Sequence, residues 1–577
     1  MEWKKGFYRC DEVDSLKTLR DMLHYSKKKF AANIAYQQIE NQAYESAITF
    51  RGFSNNVDAL GTAMMAHGMS AKHIALLGRT SIEWVTSYFA VMDGVGVVVP
   101  IDCDLNVETM AKQLNFGEVD VLVCSRCMVK KAAEVLPLCP NIKTVIALRT
   151  TAPLELPENI EVLYFDRMLK EGQRLLKDGE TCYTQAEIDP EAMSELVFTS
   201  GTTGANKGVM LCHRNICSAI QGAKRLVNFT HSSMSVLPAN HTYELTCHLV
   251  AAIEEGTTVY INDDLRHVLQ NMNHFAPEMM CMVPMMVNLI VRKVKIESEK
   301  TGLAAHLNYG MKFSNFIRKF GIDQRKTYFE PVTKNFGGKL RKIICGGAPL
   351  SDDVIDFMDS LGITVLNGYG ITECAPLVAV NGDKLQRKGS VGHVLPSCQV
   401  RIDNPDENGN GEIQVKGGNV MLGYYKMPED TAAVFTEDGW FRTGDIGRLD
   451  KHGFLYISGR VKNLIILSNG KNIYPEELED YLAMHIPYLK ESVVHTDSEG
   501  TGIYAICYLD SDYCKAHNLN TSEEKRAYLM EDIRKYNQKM PSFKRIADVQ
   551  ISETEFEKTS TKKIQRFKVL EGRNIHV

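Results

Sequence analysis

The chain has 577 residues, too many for one hydrophobic core, so we expect two to four domains. Hydrophobic residues make up 44% of it and charged residues 24%, as in an ordinary globular protein. The net charge of −5 argues against a broad surface for nucleic acid. The longest apolar run, residues 95–101, is too short to cross a bilayer and predicts a buried strand instead.

The amino terminus and the cysteines indicate the compartment. The first residues lead into charged sequence and lack the apolar core of a signal peptide. Fifteen cysteines, an odd number, are scattered along the chain, which favours reduced thiols in a cytoplasmic protein. Cys124 and Cys127 have the spacing of a metal or redox pair, but no second pair lies nearby, which disfavours a functional role.

Short β-rich runs alternate with helical segments from about residue 45 to about residue 460. Many of these runs are continuously apolar, as is typical of parallel strands in sheets that helices cover on both faces. The sequence therefore predicts an α/β domain. The strands that we expect in it lie at residues 74–77, 95–99, 121–124, 145–148, 196–198, 235–237, 258–261, 280–283, 342–345 and 364–366.

The residue pattern of the sequence changes after about residue 385. Short segments with many glycines and alternating residues, such as 411–417, predict a small antiparallel sheet or barrel at the end of the large domain. The last 115 or so residues are rich in lysine and glutamate and predict an α+β region.

The most informative segment directly follows the predicted strand at 196–198. Its glycines and hydroxyl side chains let N–H and O–H groups converge on an anion, and a lysine adds positive charge. The spacing is not that of a Walker loop, and a flexible surface turn is the alternative interpretation. The residues of this phosphate loop are Thr199, Ser200, Gly201, Thr202, Thr203, Gly204 and Lys207.

Two further glycine-containing segments follow predicted strands and are suited to form a slot for a flat ring, with Tyr369 as a stacking face. Beside them, Thr372 and Glu373 provide a hydroxyl and a hard carboxylate, which suit Mg²⁺ bridged to phosphate. Tight turns at strand ends explain either segment alone equally well. The slot residues are Gly346, Gly347, Ala348, Pro349, Asn367, Gly368, Tyr369 and Gly370.

Three positions nearer the carboxyl terminus complete the candidates. Asp445 follows a glycine turn, where a carboxylate can accept hydrogen bonds from both hydroxyls of a ribose. Residues 459–462, Gly-Arg-Val-Lys, lie between the glycine-rich region and the predicted α+β region, and they predict a hinge. Residues 558–566 carry several lysines, and lysines so near a terminus are usually solvated charges.

In this order the segments resemble the ANL superfamily of adenylate-forming enzymes, which contains acyl- and aryl-CoA synthetases, adenylation domains of peptide synthetases and luciferases. The most specific matches are Gly459-Arg-x-Lys with Asn472-Ile-Tyr-Pro-Glu-Glu, and Thr559-x-Thr-x-Lys-Ile-x-Arg. The resemblance implies a large α/β domain over residues 1–461, with a β-barrel-like part. It also implies a small mobile α+β domain over residues 462–577, behind a hinge at Lys462.

The resemblance implies a role for each matching residue of the large domain. The phosphate loop holds the β- and γ-phosphates of ATP, and the slot residues frame the adenine and the carboxylate pocket. Thr372 touches the α-phosphate, whereas Glu373 and Thr202 bind Mg²⁺. His241 matches a segment that often carries an aromatic or histidine gate near the acyl site, with an ordinary core or surface histidine as the alternative.

Asp445 and Arg460 match the residues that hold the ribose, and Lys563 matches the lysine that reaches across from the small domain during adenylation. Two departures from the family pattern concern this region. Lys562 stands where glycine usually precedes the terminal lysine, so two adjacent lysines compete for the role. Asn469 stands where one of two glycines is common, near the expected path of the thiol.

The resemblance implies a two-step reaction that requires ATP, Mg²⁺ and coenzyme A. A carboxylate attacks the α-phosphate and gives an acyl adenylate and pyrophosphate, and the thiol of coenzyme A then attacks the acyl carbon. The protein contributes positioning and charge neutralisation rather than a covalent nucleophile.

The sequence favours a medium- or long-chain fatty acid as the substrate. Residues 292–342 resemble an insertion of long-chain fatty acyl-CoA synthetases and contain 13 Lys and Arg against four Asp and Glu. This charge suits peripheral contact with an anionic membrane or the phosphates of coenzyme A, with a solvated basic face as the alternative. The methionine-rich run at 279–286 either lines an acyl channel or, as is more usual, belongs to the core.

Two rival functions stay open. The first is an enzyme that forms an acyl adenylate and loads an acyl-carrier protein in trans instead of coenzyme A. The second is a homologue that binds nucleotide without catalysis. The departure from the family pattern at Lys562 keeps this alternative open.

Overall fold

The computed structural model describes residues 16–40, 44–200, 206–468, 471–497, 499–558 and 564–571. The chain divides into two compact units. The larger consists of Met1–Thr199, Asn206–Gln399 and Val415–Phe441, and the smaller of Ser200–Ala205, Val400–Gln414 and Arg442–Val577. The predicted boundary between residues 461 and 462 stays a prediction.

The strands are numbered in chain order. They are β1 (Ile34–Glu40), β2 (Tyr44–Thr49), β3 (Lys72–Leu77), β4 (Gly96–Ile101), β5 (Val119–Ser125), β6 (Thr144–Leu148), β7 (Glu161–Tyr164), β8 (Met193–Ser200), β9 (Asn206–Cys212), β10 (Ser232–Ser235), β11 (Thr258–Ile261), β12 (Met279–Met282), β13 (Lys342–Cys345), β14 (Thr364–Tyr369), β15 (Ala379–Val380), β16 (Gly392–Val394), β17 (Cys398–Asp403), β18 (Gly411–Gly417), β19 (Gly423–Tyr424), β20 (Phe441–Leu449), β21 (Phe454–Arg460), β22 (Ile465–Ile466), β23 (Asn472–Ile473), β24 (Leu489–Thr496), β25 (Ile503–Leu509) and β26 (Ile546–Ile551).

The α-helices are numbered in the same way. They are α1 (Leu19–Lys29), α2 (Phe50–Ala66), α3 (Ile82–Ala90), α4 (Val107–Phe116), α5 (Val129–Val135), α6 (Phe165–Lys177), α7 (His213–Lys224), α8 (Thr242–Glu244), α9 (Ala251–Glu255), α10 (Val268–Phe275), α11 (Pro284–Lys300), α12 (Ala304–Arg318), α13 (Arg325–Tyr328), α14 (Glu330–Thr333), α15 (Asp352–Ser360), α16 (Pro428–Val434), α17 (Pro475–His485), α18 (Ser511–Ala516), α19 (Ser522–Asn537) and α20 (Arg566–Leu570).

Two sheets form the framework of the larger unit. One has the strand order β19-β9-β8-β4-β3-β5-β6-β7, and its strands from β8 to β7 pair in parallel. In the other, strands β14-β13-β12-β10-β11-β1 are parallel neighbours. The predicted α/β fold with parallel, helix-covered sheets is confirmed.

The strand prediction fails where polar residues are buried. The structure places β10 at Ser232–Ser235, three residues before the predicted run at 235–237. Ser233 is fully buried in this strand, and its hydroxyl shares a hydrogen bond of 2.9 Å with His248. A serine-rich strand has no apolar signal to detect, so β10 depends on a partner that is distant in the sequence.

The core of the larger unit contains large aromatic side chains such as Trp84, Tyr36 and Phe53, each with an exposed fraction of 1% or less. The methionines of β12 also have an exposed fraction of 0%, so this part of the methionine-rich run belongs to the core. In the part of the chain that the structure describes, no helix combines the length and the hydropathy that a membrane span requires.

The smaller unit is an α+β structure, as the sequence predicts. Its strands β20 and β21 form an antiparallel pair, and β22 pairs with β23. Towards the carboxyl terminus, β24, β25 and β26 form a three-stranded sheet with a separate apolar core that includes Leu482, Leu529 and Ile533.

Candidate active site

The two slot segments lie side by side at one edge of a parallel sheet. Cys345, the last residue of β13, pairs with Asn367 of β14, so both chains leave the sheet together. The Gly346 N–H donates to the carbonyl oxygen of Met282, the last residue of β12, at 3.2 Å. The carboxyl ends of parallel strands are where ligands bind in open α/β sheets.

Packing requires glycine at one slot position and leaves little room for a side chain at another. A Cβ atom on Gly370 would lie 1.5 Å from the Pro376 carbonyl oxygen, so no side chain fits there. A Cβ atom on Gly346 would lie 3.3 Å from the ring of Tyr243. The Tyr243 hydroxyl donates to the Ile344 carbonyl at 2.9 Å and thereby fixes the ring beneath the turn.

The remaining slot residues are accessible to a ligand to different degrees. Gly347, Ala348 and Pro349 are exposed, whereas the residues from Asn367 to Gly370 are half-buried. The Asn367 Oδ1 atom is buried and has no hydrogen-bond partner within the described residues. A buried, unpaired acceptor is costly, so this oxygen is suited to receive a donor from a bound molecule.

The structure brings the phosphate-loop lysine and the predicted magnesium ligand to the same tyrosine. The Tyr424 hydroxyl donates to Glu373 Oε1 at 3.0 Å, and the Lys207 Nζ atom lies 4.6 Å from the centre of the Tyr424 ring. Lys207 also forms an ion pair of 2.5 Å with Asp430. Lys207, Glu373, Tyr424 and Asp430 are named the strand-end cluster below.

Local structure holds the strand-end cluster in place. Tyr424 lies on β19, which pairs with β9 opposite Val209, two residues after Lys207. The backbone N–H of Met421 donates to the Glu373 carbonyl at 2.9 Å. Burial, with the nearby carboxylates of Glu373 and Asp430, raises the pKa of Tyr424, so its hydroxyl stays a donor at neutral pH.

Neither Tyr424 nor Asp430 was assigned a role from the sequence. A Gly-Tyr pair at 423–424 before a helix with acidic residues in its first turn was the available signal. Thr372, which was assigned one, lies half-buried in a 3₁₀ turn with Glu373.

The phosphate loop is only partly described. Thr199 is the second-to-last residue of β8, and its hydroxyl lies 3.5 Å from the Lys207 carbonyl across the loop. Gly201, Thr202, Thr203, Gly204 and the side chain of Ser200 lie outside the described residues. Lys562, Lys563 and Asn469 also lie outside them.

His241 immediately precedes α8 and is half-buried. Its backbone carbonyl accepts from the Leu245 N–H at 2.9 Å and begins a segment that continues into a π-helical turn, Leu245–Val250. Within that segment the fully buried His248 lies between Glu244 Oε1 and Ser233 Oγ, each at 2.9 Å.

In the smaller unit, the two predicted ribose-binding residues form one pair. Asp445 and Arg460 lie opposite each other on β20 and β21, and Arg460 Nε lies 3.1 Å from Asp445 Oδ1. The Asp445 side chain is 6% exposed and that of Arg460 is 42% exposed. Lys462 follows in an exposed 3₁₀ turn, Val461–Asn463.

The residues on both sides of 559–563 are anchored to the smaller unit. Lys558 and Ile564 form an antiparallel bridge, and the Gln565 N–H donates to the Glu557 carbonyl at 2.8 Å. Arg566 forms an ion pair with Glu479 and donates to the Val494 carbonyl at 2.7 Å.

The donors present fit a magnesium nucleotide. In the described part of the chain, no group of three or more His, Cys, Asp and Glu side chains is arranged to hold a metal ion. Magnesium is commonly held by one or two carboxylates together with phosphate oxygens and water. Glu373 provides such a carboxylate, and it contacts the same tyrosine as Lys207.

The family comparisons agree with this geometry. A model of the AMP-binding enzyme family matches residues 26–425, and one of the AMP-binding enzyme C-terminal domain matches residues 462–572. The first match covers more than two thirds of the chain, so the chain belongs to the family of AMP-binding enzymes.

Curated relatives include long-chain-fatty-acid–CoA ligase 5 of Rattus norvegicus, 29% identical over 79% of this chain and 70% of the relative. A peroxisomal long chain acyl-CoA synthetase 7 of Arabidopsis thaliana is 26% identical over 82% of this chain and 69% of its own. Among solved structures, the O-succinylbenzoate coenzyme A synthetase of Bacillus subtilis with ATP and magnesium has a TM-score of 0.70. It is 22% identical and covers 94% of this chain and 98% of its own.

The chain is therefore an AMP-binding enzyme, and its curated relatives are named as ligases that join acids to coenzyme A. ATP, Mg²⁺ and coenzyme A are the cofactors expected for an AMP-binding acyl-CoA ligase.

Proposed function

We propose that this enzyme activates a medium- or long-chain fatty acid and transfers it to coenzyme A. The observation that carries the proposal is the strand-end cluster, in which a cation and a carboxylate for a magnesium nucleotide meet at Tyr424. The curated relatives named as long-chain-fatty-acid–CoA ligases support the choice of acid.

The first step forms a bond between a carboxylate oxygen and the α-phosphorus, and pyrophosphate leaves. Lys207 and the phosphate loop hold the phosphates that leave, and Thr372 lies beside Glu373 where the α-phosphate is expected. Magnesium, when bound through Glu373 and Thr202, neutralises phosphate charge. Lys563 stabilises the charge that develops near the reacting oxygens.

In the second step the thiol sulfur of coenzyme A bonds to the acyl carbon, AMP leaves and the thiol proton passes to solvent. Asp445 accepts the ribose hydroxyls in both steps, with Arg460 beside it. Lys462 is the hinge about which the small domain leaves the acyl site, and His241 gates that site.

The experiment is carboxylate-dependent ATP–pyrophosphate exchange with fatty, aromatic and amino acids, followed by AMP release with and without coenzyme A. Exchange with fatty acids and AMP release that requires coenzyme A support the proposal. Exchange with an aromatic or amino acid instead would identify that class of acid as the substrate. Release that requires an acyl-carrier protein favours loading of a carrier, and silence across the panel favours a non-catalytic homologue.

A further inference from the structure

The exposed apolar side chains of the larger unit are concentrated in one segment, which contains the helices α11 and α12. Of the 16 large hydrophobic residues that are exposed in the described part of the chain, ten lie between positions 285 and 328. This segment covers α11, α12 and the turns that follow, and it overlaps the basic residues 292–342. Concentrations of exposed apolar side chains on one face mark sites of interaction.

On α12 these side chains form a single stripe. Tyr309, Phe313, Phe316 and Phe320 follow the spacing i, i+4, i+7, i+11, which places them on one face of a helix with 3.6 residues per turn. Their exposed fractions range from 45% to 74%. Phe320 lies two residues past the helix, and its ring centre is 5.4 Å from that of Phe316.

The opposite face of α12 is fastened to the protein, so the stripe points outwards. Arg318 forms an ion pair of 2.6 Å with Asp359 of α15, and the Asn315 side chain donates to the Ser360 hydroxyl at 2.8 Å. Ser314 is fully buried, and Leu307 packs against the core.

The neighbouring helix α11 repeats the arrangement. Met285, Leu289 and Ile296 are exposed at positions i, i+4 and i+11. The face that includes Val287 and Val294 is buried in the core. Residues of α11 contact residues of α12, and the exposed apolar side chains of the two helices are together named the α11–α12 face.

The positive charge around the α11–α12 face favours an anionic partner. Residues 292–342 carry a net charge of +9 in a chain whose net charge is −5, so the remainder is acidic. Residues 304–322 contain no Asp or Glu. Among the described residues, the exposed Lys293, Lys312 and Lys319 form no ion pair, whereas Arg318 and Arg325 do.

We propose that the α11–α12 face docks on the surface of a bilayer that contains anionic lipid. Aromatic side chains enter the boundary of the acyl chains while flanking lysines contact anionic headgroups. Pairing of two copies through this face would bring unpaired lysines together, which opposes self-association. The acidic remainder of the chain keeps other faces away from the same membrane.

The experiment is co-sedimentation of the full chain with vesicles of phosphatidylcholine alone or of an equimolar mixture with phosphatidylglycerol. The parent protein is expected to bind the mixed vesicles, with affinity that falls as salt is raised. Phe316→Ser with Phe320→Ser, and separately Lys312→Glu with Lys319→Glu, each weaken binding on the order of tenfold. Leu265→Ser with Lys130→Glu, exposed residues elsewhere on the larger unit, leave binding unchanged and serve as the matched control.

Three results would overturn the proposal. They are no binding of the parent to the mixed vesicles, equal binding by parent and α11–α12 variants, or a dimer in sedimentation velocity that the phenylalanine variant dissociates. Vesicle binding is measured without substrate, so failure here is distinct from failure of the proposed ligase activity.

Discussion

Ionisable side chains occur in two contrasting settings in the larger unit. In the strand-end cluster, Lys207 and Glu373 are half-buried, and both contact Tyr424. In the core, Glu195 and His248 have exposed fractions of 0%. The accessible charges are compensated by contacts that a ligand can replace, whereas the buried groups are enclosed by the fold.

The contrast shows that a shifted pKa does not by itself distinguish the candidate active site from the core, because burial raises the pKa of both Tyr424 in the cluster and Glu195 in the core. Burial raises the pKa of Glu195 to about 8 and lowers that of His213 to about 4. His213 accepts from the Leu19 N–H at 3.1 Å and donates to the Met92 carbonyl at 3.0 Å, so its neutral ring joins α1 to the core. Neither residue belongs to the strand-end cluster, although perturbed pKa values often indicate function.

The largest effect is expected at Glu195, because the folded state binds a proton that the unfolded state releases near the ordinary pKa of 4.5. The free energy of unfolding therefore falls as pH rises from about 4.5 to about 8, by about 5 kcal/mol in total. Glu195→Gln removes this dependence and stabilises the larger unit at pH 8, as measured by denaturant unfolding at several pH values. Exposed Glu187→Gln keeps the parent profile. Identical profiles for the parent and Glu195→Gln would contradict the assignment.

At the accessible setting, the largest effect is expected from Lys563→Ala. Loss of the positive charge near the reacting oxygens lowers adenylation about a thousandfold, or about 4 kcal/mol, and largely spares thioester formation from supplied acyl adenylate. Lys562→Ala is the matched control in pyrophosphate exchange. Loss with Lys562→Ala instead would transfer the role to that lysine, and equal loss of both half-reactions would argue against two conformations.

Glu373→Gln keeps the size of the side chain but removes the charge that is proposed to bind Mg²⁺. We expect adenylation to fall about a hundredfold, or about 3 kcal/mol, and the Mg²⁺ concentration for half-maximal rate to rise. The thermal midpoint stays unchanged because the carboxylate is half-buried and not enclosed by the core. Glu429→Gln, at an exposed position, is the control. A large drop in the thermal midpoint of Glu373→Gln would mean that Glu373 contributes to stability rather than to Mg²⁺ binding.

Tyr424→Phe tests positioning within the strand-end cluster. Removing the hydroxyl frees Glu373 to adopt other rotamers while the ring beside Lys207 remains, so adenylation falls about tenfold. A positioning role also shifts the Mg²⁺ dependence while the KM for the fatty acid stays constant. The neighbouring Tyr425→Phe loses a hydrogen bond of 2.6 Å to the exposed Glu118 and should leave both unchanged. A uniform loss without a Mg²⁺ shift would refute positioning.

Most strands of the larger unit could be predicted because two-sided burial leaves continuous apolar runs, as in β5, β6 and β13. The strand β10 was not predicted correctly because its buried residues include serines. The hydroxyl of Ser233 forms its hydrogen bond with His248 from a later helical turn. The amphipathic stripe at 309–320 was in the sequence as well. Only the structure shows that this stripe faces outwards, since a core helix has the same spacing.

The candidate site was foreseeable where residues adjacent in sequence act together, as in the phosphate loop and in Thr372 with Glu373. The contacts of Tyr424 were not foreseeable, because Glu373 lies 51 positions away from it. Lys207 and Asp430 are 223 positions apart: Lys207 lies on β9, and Asp430 lies on α16, the helix that follows β19, the strand paired with β9.

The order of motifs and the apolar runs were enough to establish the family and the parallel α/β framework, because both depend on local composition. The tertiary structure decided which charges are paired, which glycines are required by packing and which apolar stripe faces outwards. These properties depend on distances between residues that are far apart in the chain, and hydrogen bonds, ion pairs and van der Waals contacts act only over a few ångströms.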